Sequence, residues 1–241
     1  PEIDGLPLTF ICVPDVEAAL INAATYARQR LKRAKVIAVT GSVGKTTTRQ
    51  MIVQSLRQYG KVFSSQKNYN TLIGVSVDLC SCPLESAYIV LEIGMNHPGE
   101  IAPIASLVQP DIALITKIAE NHLAFFNSIE DIAHEKAQIF HGLSKEGMGI
   151  LPLDSPYFEK MKAILFSLKA SMPLTFSYEN NQATVSLSKK TEGDVLTCEG
   201  AVYPFVLTEI GRHFEENALA AVTVLKALTL PLEKGVNALT S

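Results

Sequence analysis

Apolar positions along this chain recur in two rhythms. From about residue 15 to residue 33 the spacing is helical: Val16, Ala19, Leu20, Ala23, Ala27 and Leu31 make one stripe, and Asp15 stands where an N-cap belongs. Residues 1–14 read as a strand remnant with a turn at Pro14, the tail of a preceding unit. Between residues 35 and about 155, short apolar runs alternate with helical stretches. The runs at 36–40, 88–93, 112–116 and 149–153 read as strands buried on both faces, which predicts βα units and a mostly parallel sheet flanked by helices. One helix is expected over residues 128–141, capped by Ser128 with Asp131, with Ile132, Ala133, Ile139 and Phe140 on its apolar stripe.

The rhythm changes after residue 172. Runs at 174–178, 183–188, 194–198 and 204–207 are short and turn-separated, with Asn180-Asn181 and Glu192-Gly193 between them. They predict a small antiparallel β meander appended to the parallel sheet. Helical spacing returns over 213–228, with Phe214, Ala218, Ala221, Val222 and Leu225 on one face. The fold class is therefore α/β.

Composition narrows the function classes. Apolar residues are 47% and charged residues 19% of the 241, enough for a sizeable core and far from a disordered composition. The net charge of −3 argues against a general nucleic-acid binder. No apolar run is long enough to span a bilayer, and the N-terminus lacks a signal-peptide pattern, so no membrane insertion is expected. Cys12, Cys80, Cys82 and Cys198 read as reduced thiols; the Cys80/Cys82 pair has no second pair or His cluster to make a zinc site. The first residue is Pro1, so the start was trimmed or the chain is a piece of something longer.

The most specific segment is Thr40-Gly41-Ser42-Val43-Gly44-Lys45-Thr46-Thr47-Thr48. It follows an apolar strand and opens a helix with Met51, Ile52, Ser55, Leu56 and Tyr59 on one side and Gly60 as C-cap. A phosphate-binding loop requires that context. Glycines let backbone N–H groups converge on an anion, and the helix N-terminus adds its positive end. Lys45 would reach the β- and γ-phosphates, and Thr46 would place its hydroxyl on Mg²⁺. The early glycine is Gly41 rather than position 39, where Val39 stands, so the loop is a shortened variant.

Other candidates gather around that loop. Glu92 ends a buried strand, where an acid can hold Mg²⁺ or its water; a solvated edge glutamate is the plainer reading. Lys136 falls on the apolar stripe of its helix and points inward, where burial favours the neutral amine; a snorkelling lysine or simple ion pair is the alternative. His122 lies past the 112–116 strand, at the end of a sheet where phosphate and metal chemistry collects. Asn217 faces the apolar side of its helix and needs partners, either backbone groups or the edge of a purine.

Together these residues resemble the central domain of the Mur ligases. The resemblance covers roughly residues 10–230. It rests on the 40–48 loop; Asn68-Tyr69-Asn70 running into Ile73-Gly74-Val75; Glu92-Ile93-Gly94-Met95-Asn96-His97-Pro98-Gly99-Glu100-Ile101; His122 followed by Lys136; and Gly211-Arg212-His213 leading to Asn217-Ala218-Leu219-Ala220-Ala221. The 92–101 stretch points to the family member that adds D-alanyl-D-alanine to UDP-MurNAc-tripeptide.

The resemblance implies a bacterial, cytoplasmic ligase of peptidoglycan synthesis that uses ATP to phosphorylate a carboxylate, which an amine then attacks. It implies that Gly41, Ser42, Val43, Gly44, Lys45, Thr46 and Thr47 hold phosphates. Thr46 and Glu92 would hold one Mg²⁺, and His122 with a CO₂-carbamylated Lys136 a second. Asn217 would contact adenine, and Asn68 and Asn70 would lie near the nucleotide-sugar substrate. It divides the chain into the tail of an N-terminal domain and a linker helix (1–33), the ATP-binding domain (34–231) and the start of a link to a C-terminal domain (232–241). A chain lacking those outer domains is expected to be weak or inactive alone.

Three departures mark the sequence. Phe214 replaces a second Asn, Gln138 a Glu, and Asn127 a Gly. Among other readings, a third-residue-adding ligase or a folylpolyglutamate synthase is disfavoured by the 92–101 stretch. A phosphate-loop GTPase is disfavoured because Thr116-Lys117-Ile118-Ala119 has Ala where guanine recognition needs Asp. A non-catalytic nucleotide-binding module remains the alternative from a different class.

Overall fold

A single central sheet organises the computed structural model, which describes residues 11–65, 69–120, 125–169, 171–189, 194–207 and 211–240. The strands are β1 (Lys35–Thr40), β2 (Val62–Ser64), β3 (Tyr88–Glu92), β4 (Ile112–Ile115), β5 (Met148–Pro152), β6 (Leu174–Ser177), β7 (Val185–Ser188), β8 (Val195–Cys198) and β9 (Ala201–Pro204). They form one sheet in the order β2-β3-β1-β4-β5-β6-β7-β8-β9. Pairing is parallel from β2 through β7 and antiparallel from β7 to β9. Strand order reverses at β1, which lies between β3 and β4, and such a switch point opens a crevice at the carboxyl ends of the strands.

Helices cover both faces: α1 (Val16–Arg30), α2 (Lys45–Leu56), α3 (Leu72–Ser81), α4 (Ile101–Val108), α5 (Ile129–Ala137), α6 (Phe158–Lys169), α7 (Arg212–Ala227) and α8 (Leu232–Leu239). The two-residue alternation of β1 explains the three layers. Val36 and Ala38 enter one core with Ala24, Val75 and Ile104; Ile37 and Val39 enter the other with Ile52, Ala221 and Val236. All four strand residues are fully buried. Each large aliphatic side chain so buried contributes roughly 1.5–3 kcal/mol, so β1, which leads into the 40–48 loop, is firmly seated. Among the described residues no helix is long and apolar enough to cross a membrane.

The four apolar runs become β1, β3, β4 and β5 within a residue at each end. Other expectations change. The α1 stripe is rotated: Val16 and Ala23 are exposed, whereas Ala24 is buried against the sheet. Arg28 joins that buried side because its guanidinium donates to the carbonyls of Val108 and Gln109 at the end of α4, at 2.6 and 2.8 Å. Gly60 is not the cap of α2, which ends at Leu56 with Arg57 as C-cap. Gly60 instead passes close to Ala87, whose Cβ a glycine Cβ would meet at 3.0 Å. The 128–141 helix ends at Ala137 and tightens into a 3-10 turn over Gln138–Gly142.

The antiparallel meander is present but smaller than expected, made of β7, β8 and β9 alone. β6 and β7 pair in parallel and belong to the main sheet. Asp154 accepts from the Ser177 hydroxyl at 2.6 Å and from Tyr178 N at 2.9 Å, turning the chain as it leaves β6. The backbone N–H groups of Thr175 and Thr184 then each donate to the other's hydroxyl, at 3.0 and 3.1 Å, aligning the returning strand. The last strand is Ala201–Pro204, not 204–207, because Glu199 (φ 48°) and Gly200 (φ 84°) make a tight two-residue hairpin. Leu232–Leu239 form α8, which buries Leu232, Val236 and Leu239.

Candidate functional site

The loop between β1 and α2 is shaped by two close approaches. Gly41 has φ +152°, and a Cβ there would lie 1.9 Å from the Thr116 hydroxyl. Gly44 has φ +88°, and its Cβ would lie 2.5 Å from Asn217 Oδ1. Only glycine satisfies both conditions at either position. Ser42 N and Val43 N donate to the Lys117 carbonyl at 2.8 and 3.3 Å, and the Thr116 hydroxyl donates to the Val43 carbonyl at 2.7 Å. The loop is thus clamped to the exit of β4. Gly44 caps α2 without a side-chain acceptor, so the first-turn N–H groups face the loop mouth available to an anion.

Lys45 folds over this loop and donates to the carbonyls of Gly41 and Ser42 at 2.8 and 3.3 Å. Burial pushes its amine below the usual lysine range, and nearby Glu92 opposes that shift. Thr46 donates its hydroxyl to Glu92 Oε2 at 2.9 Å, and Asn70 donates its amide to Glu92 Oε1 at 3.0 Å. Glu92 is only 2% exposed. Its charge is further matched by Arg49, whose Nε lies 3.7 Å from Oε2 and whose Nη1 donates to the Ser64 hydroxyl at 2.8 Å. A carboxylate so buried is tolerable only with such partners.

Lys136 sits in the last turn of α5, 2% exposed. Its amine is pushed from 10.5 down to about 7, first by burial and then by the positive charge of Lys45, with Glu135 opposing. Among the described residues no group hydrogen-bonds this amine. Glu135 itself accepts from Ile101 N at 3.1 Å, while Glu100 accepts from Asn96 N and His97 N at 2.7 and 3.2 Å. His97 packs edge-on against Phe125, ring centroids 4.2 Å apart. These bonds hold the 94–101 stretch beside the N-terminus of α4.

A cleft opens next to the loop, walled by Ile118, Pro152, Pro156, Phe176 and Ala220 and reached by Asp154 and Asn217. The Arg212 guanidinium stacks over Tyr178 at 4.6 Å on its rim. Asn217 accepts from the Thr48 hydroxyl at 3.1 Å.

The structure therefore joins Thr46, Glu92 and Asn70 by direct bonds, folds Lys45 onto the loop within reach of the Glu92 charge, sets Lys136 within reach of the Lys45 charge, and places Asn217 against the loop. Asn68 and His122 lie outside the described residues. Among the described residues no three His, Cys, Asp or Glu side chains gather into a metal cage. The Thr46–Glu92 pair fits Mg²⁺, a hard cation that takes one carboxylate and a hydroxyl when phosphate oxygens and water complete its shell. Sequence reasoning missed Arg49 and Thr116. Arg49 was findable, lying three residues after Thr46 on the same helical face. Thr116 carries no signal of its own beyond ending the 112–116 run.

The comparisons agree with this arrangement. Residues 39–225 match the Mur ligase middle domain. The chain is 32% identical over 219 residues to the UDP-N-acetylmuramoyl-tripeptide–D-alanyl-D-alanine ligase of Rickettsia prowazekii, covering 89% of this chain and 49% of that protein. It is 33% identical over 234 residues to the enzyme of the same name from Escherichia coli, covering 95% and 51%. It thus spans about half the length of these curated relatives. A crystal structure of MurF from Acinetobacter baumannii superposes with a TM-score of 0.87 at 28% identity, over 98% of this chain and 53% of that one. The chain belongs to the Mur ligase family, of which it carries the middle domain.

Proposed function

We propose that this chain is the ATP-binding centre of a bacterial cytoplasmic ligase that joins D-alanyl-D-alanine to UDP-MurNAc-tripeptide in peptidoglycan precursor synthesis. One observation carries the reading: the Thr46 hydroxyl and the buried Glu92 carboxylate meet at 2.9 Å at the mouth of a glycine-shaped anion loop. The names of the relatives supply the substrates. In this reading residues 1–33 belong to the tail of an N-terminal domain and its linker, 34–231 to the ATP-binding domain, and 232–241 lead to a C-terminal domain.

The residues divide the work. Gly41, Gly44 and Thr47 offer backbone N–H groups to the phosphates, those of Ser42 and Val43 join them on leaving the Lys117 carbonyl, and Lys45 leaves the Gly41 carbonyl to neutralise the charge. Thr46 and Glu92 would hold one Mg²⁺; His122 and Lys136 would hold a second, and the ions would supply charge neutralisation in phosphoryl transfer. A substrate carboxylate oxygen attacks the γ-phosphorus and ADP departs, leaving an acyl phosphate. The incoming amine attacks the acyl carbon, phosphate leaves, and the amine loses a proton to give the amide. Lys136, close to half neutral at pH 7, can form an N–C bond to CO₂ with loss of a proton and become a carboxylate ligand. Asn217 borders the cleft that would take adenine. Asn68 and Asn70 would contact the nucleotide-sugar substrate in this reading, and the bond from Asn70 to Glu92 gives Asn70 a second task, orienting the carboxylate.

Calorimetric titration with Mg-ATP tests the reading. The wild type is expected to bind, and Lys45→Ala to bind about tenfold to a hundredfold more weakly, the scale of a hydrogen bond to a charged group. Equal binding by the two proteins, or no binding by the wild type, would overturn it.

A further inference from the structure

Asn217 stands at a junction that a base contact does not explain. It projects from α7, 9% exposed, and its Oδ1 accepts from the Thr48 hydroxyl at 3.1 Å. Thr48 is fully buried, so that hydroxyl serves the interior and not a bound molecule. The same Oδ1 sits where a Cβ on Gly44 would be, 2.5 Å away, so the loop backbone passes directly over the amide. Gly44 is the residue at which the loop becomes helix: it has φ +88°, and its carbonyl accepts from Thr48 N at 2.8 Å. The amide therefore fills a notch made by Gly44 and Thr48, at the point that aims the first N–H groups of α2.

From this geometry we infer that Asn217 is a positioning residue for the phosphate loop, acting through Thr48 and Gly44. The inference rests on the nucleotide-binding reading above. The physical reason is asymmetric. A buried hydroxyl or amide that loses its partner bears the full desolvation penalty, so the loop conformation that satisfies both is selected over neighbouring ones. α7 is a rigid mount for the amide, since Ala218, Ala221 and Val222 are all buried in the core shared with α2. Asn217 also borders the cleft beside the loop, so one side chain joins the base side of the site to the phosphate side.

The test separates phosphate binding from base binding by using Mg²⁺ with inorganic tripolyphosphate, which has no base, beside Mg-ATP. The proteins are the wild type, Thr48→Val, Asn217→Ala, the double variant and Thr48→Ser, each first shown folded by circular dichroism. Thr48→Val and Asn217→Ala are expected to weaken both probes about tenfold. The double variant should be no weaker than the singles, because one linkage is broken in each. Thr48→Ser, which keeps the hydroxyl, should bind both probes as the wild type does. Undiminished tripolyphosphate binding by Thr48→Val overturns the inference, even if its melting temperature falls, because the bond is then structural only. Weakening confined to Mg-ATP in Asn217→Ala overturns it as well and leaves a base contact alone. If Asn217→Ala does not fold, the Thr48→Val and Thr48→Ser pair decides. A wild type that binds neither probe fails the nucleotide reading itself, a result distinct from any difference among variants.

Discussion

The phosphate-loop end of β1 and the β6–β9 edge belong to one sheet but are specified in opposite ways. At the loop, backbone conformation is demanded residue by residue: Gly41 and Gly44 at positive φ, each with a side chain of another element where its own Cβ would be. At the edge, strands of four residues are held by pairing, and only alternate positions are decisive. In β8 the buried residues are Leu196 and Cys198; β9 is exposed at three of its four positions and ends in Pro204, as suits an edge strand. Chemistry at the first region leaves a readable spelling. Completion of a sheet at the second accepts many spellings.

This contrast can be broken by stability measurements. Leu196→Ala removes a fully buried edge-side chain from the α7-side core and is expected to cost about 2–5 kcal/mol in urea unfolding. Its affinity for Mg-ATP, measured where the protein is folded, should stay at the wild-type value; a fall would mean that the two regions are coupled. Lys136 gives the next largest effect. Its folded amine titrates near 7 and the unfolded one near 10.5, so above about pH 7 the unfolded state binds more protons and stability rises with pH up to about 10.5. Between about pH 7 and pH 9 in CO₂-free buffer that gain is about 2 kcal/mol. Lys136→Met should lose this slope and be the more stable protein at pH 7, and an unchanged slope would show the amine to be solvated.

Gly44→Ala sharpens the loop side. The left-handed penalty and the contact with Asn217 together should cost about 1–2 kcal/mol of stability and weaken Mg-ATP binding in parallel. Loss of stability with intact binding would separate loop shape from loop function. At the small end, Val202→Ser on exposed β9 should change unfolding by less than about 0.5 kcal/mol and binding not at all.

Much of the fold was legible because buried parallel strands are long apolar runs. β1, β3, β4 and β5 each have both faces covered, so nearly every position must be apolar. β2 was not legible: three half-buried residues make no pattern. The parallel return from β6 to β7 was read as antiparallel because turn residues announce a reversal without saying on which side the chain comes back. Asp154, Thr175 and Thr184 decide that side through bonds that have no sequence signature. The hairpin at Glu199-Gly200 has no strong sequence signal, because Glu at positive φ is uncommon in such a turn.

In the site, Lys45, Thr46 and Glu92 were legible from spacing, since a loop must stand between strand and helix and an acid must end a neighbouring strand. Lys136 was legible as a helical-face anomaly, and its burial is as that face predicts. Arg49 and Thr116 were not singled out, because their parts depend on which strands lie next to β1.

The sequence by itself determined the βα architecture, the glycine-shaped loop between β1 and α2 and the inward lysine, because each follows from local periodicity or from a backbone conformation that only certain residues allow. Tertiary structure alone decided that Glu92 would be shared by Thr46, Asn70 and Arg49, that Thr116 would clamp the loop, and that Asn217 would press on Gly44. Those contacts join residues separated by 22 to 173 positions in the chain. Their geometry depends on strand order, and strand order is set by which hydrophobic faces close on one another.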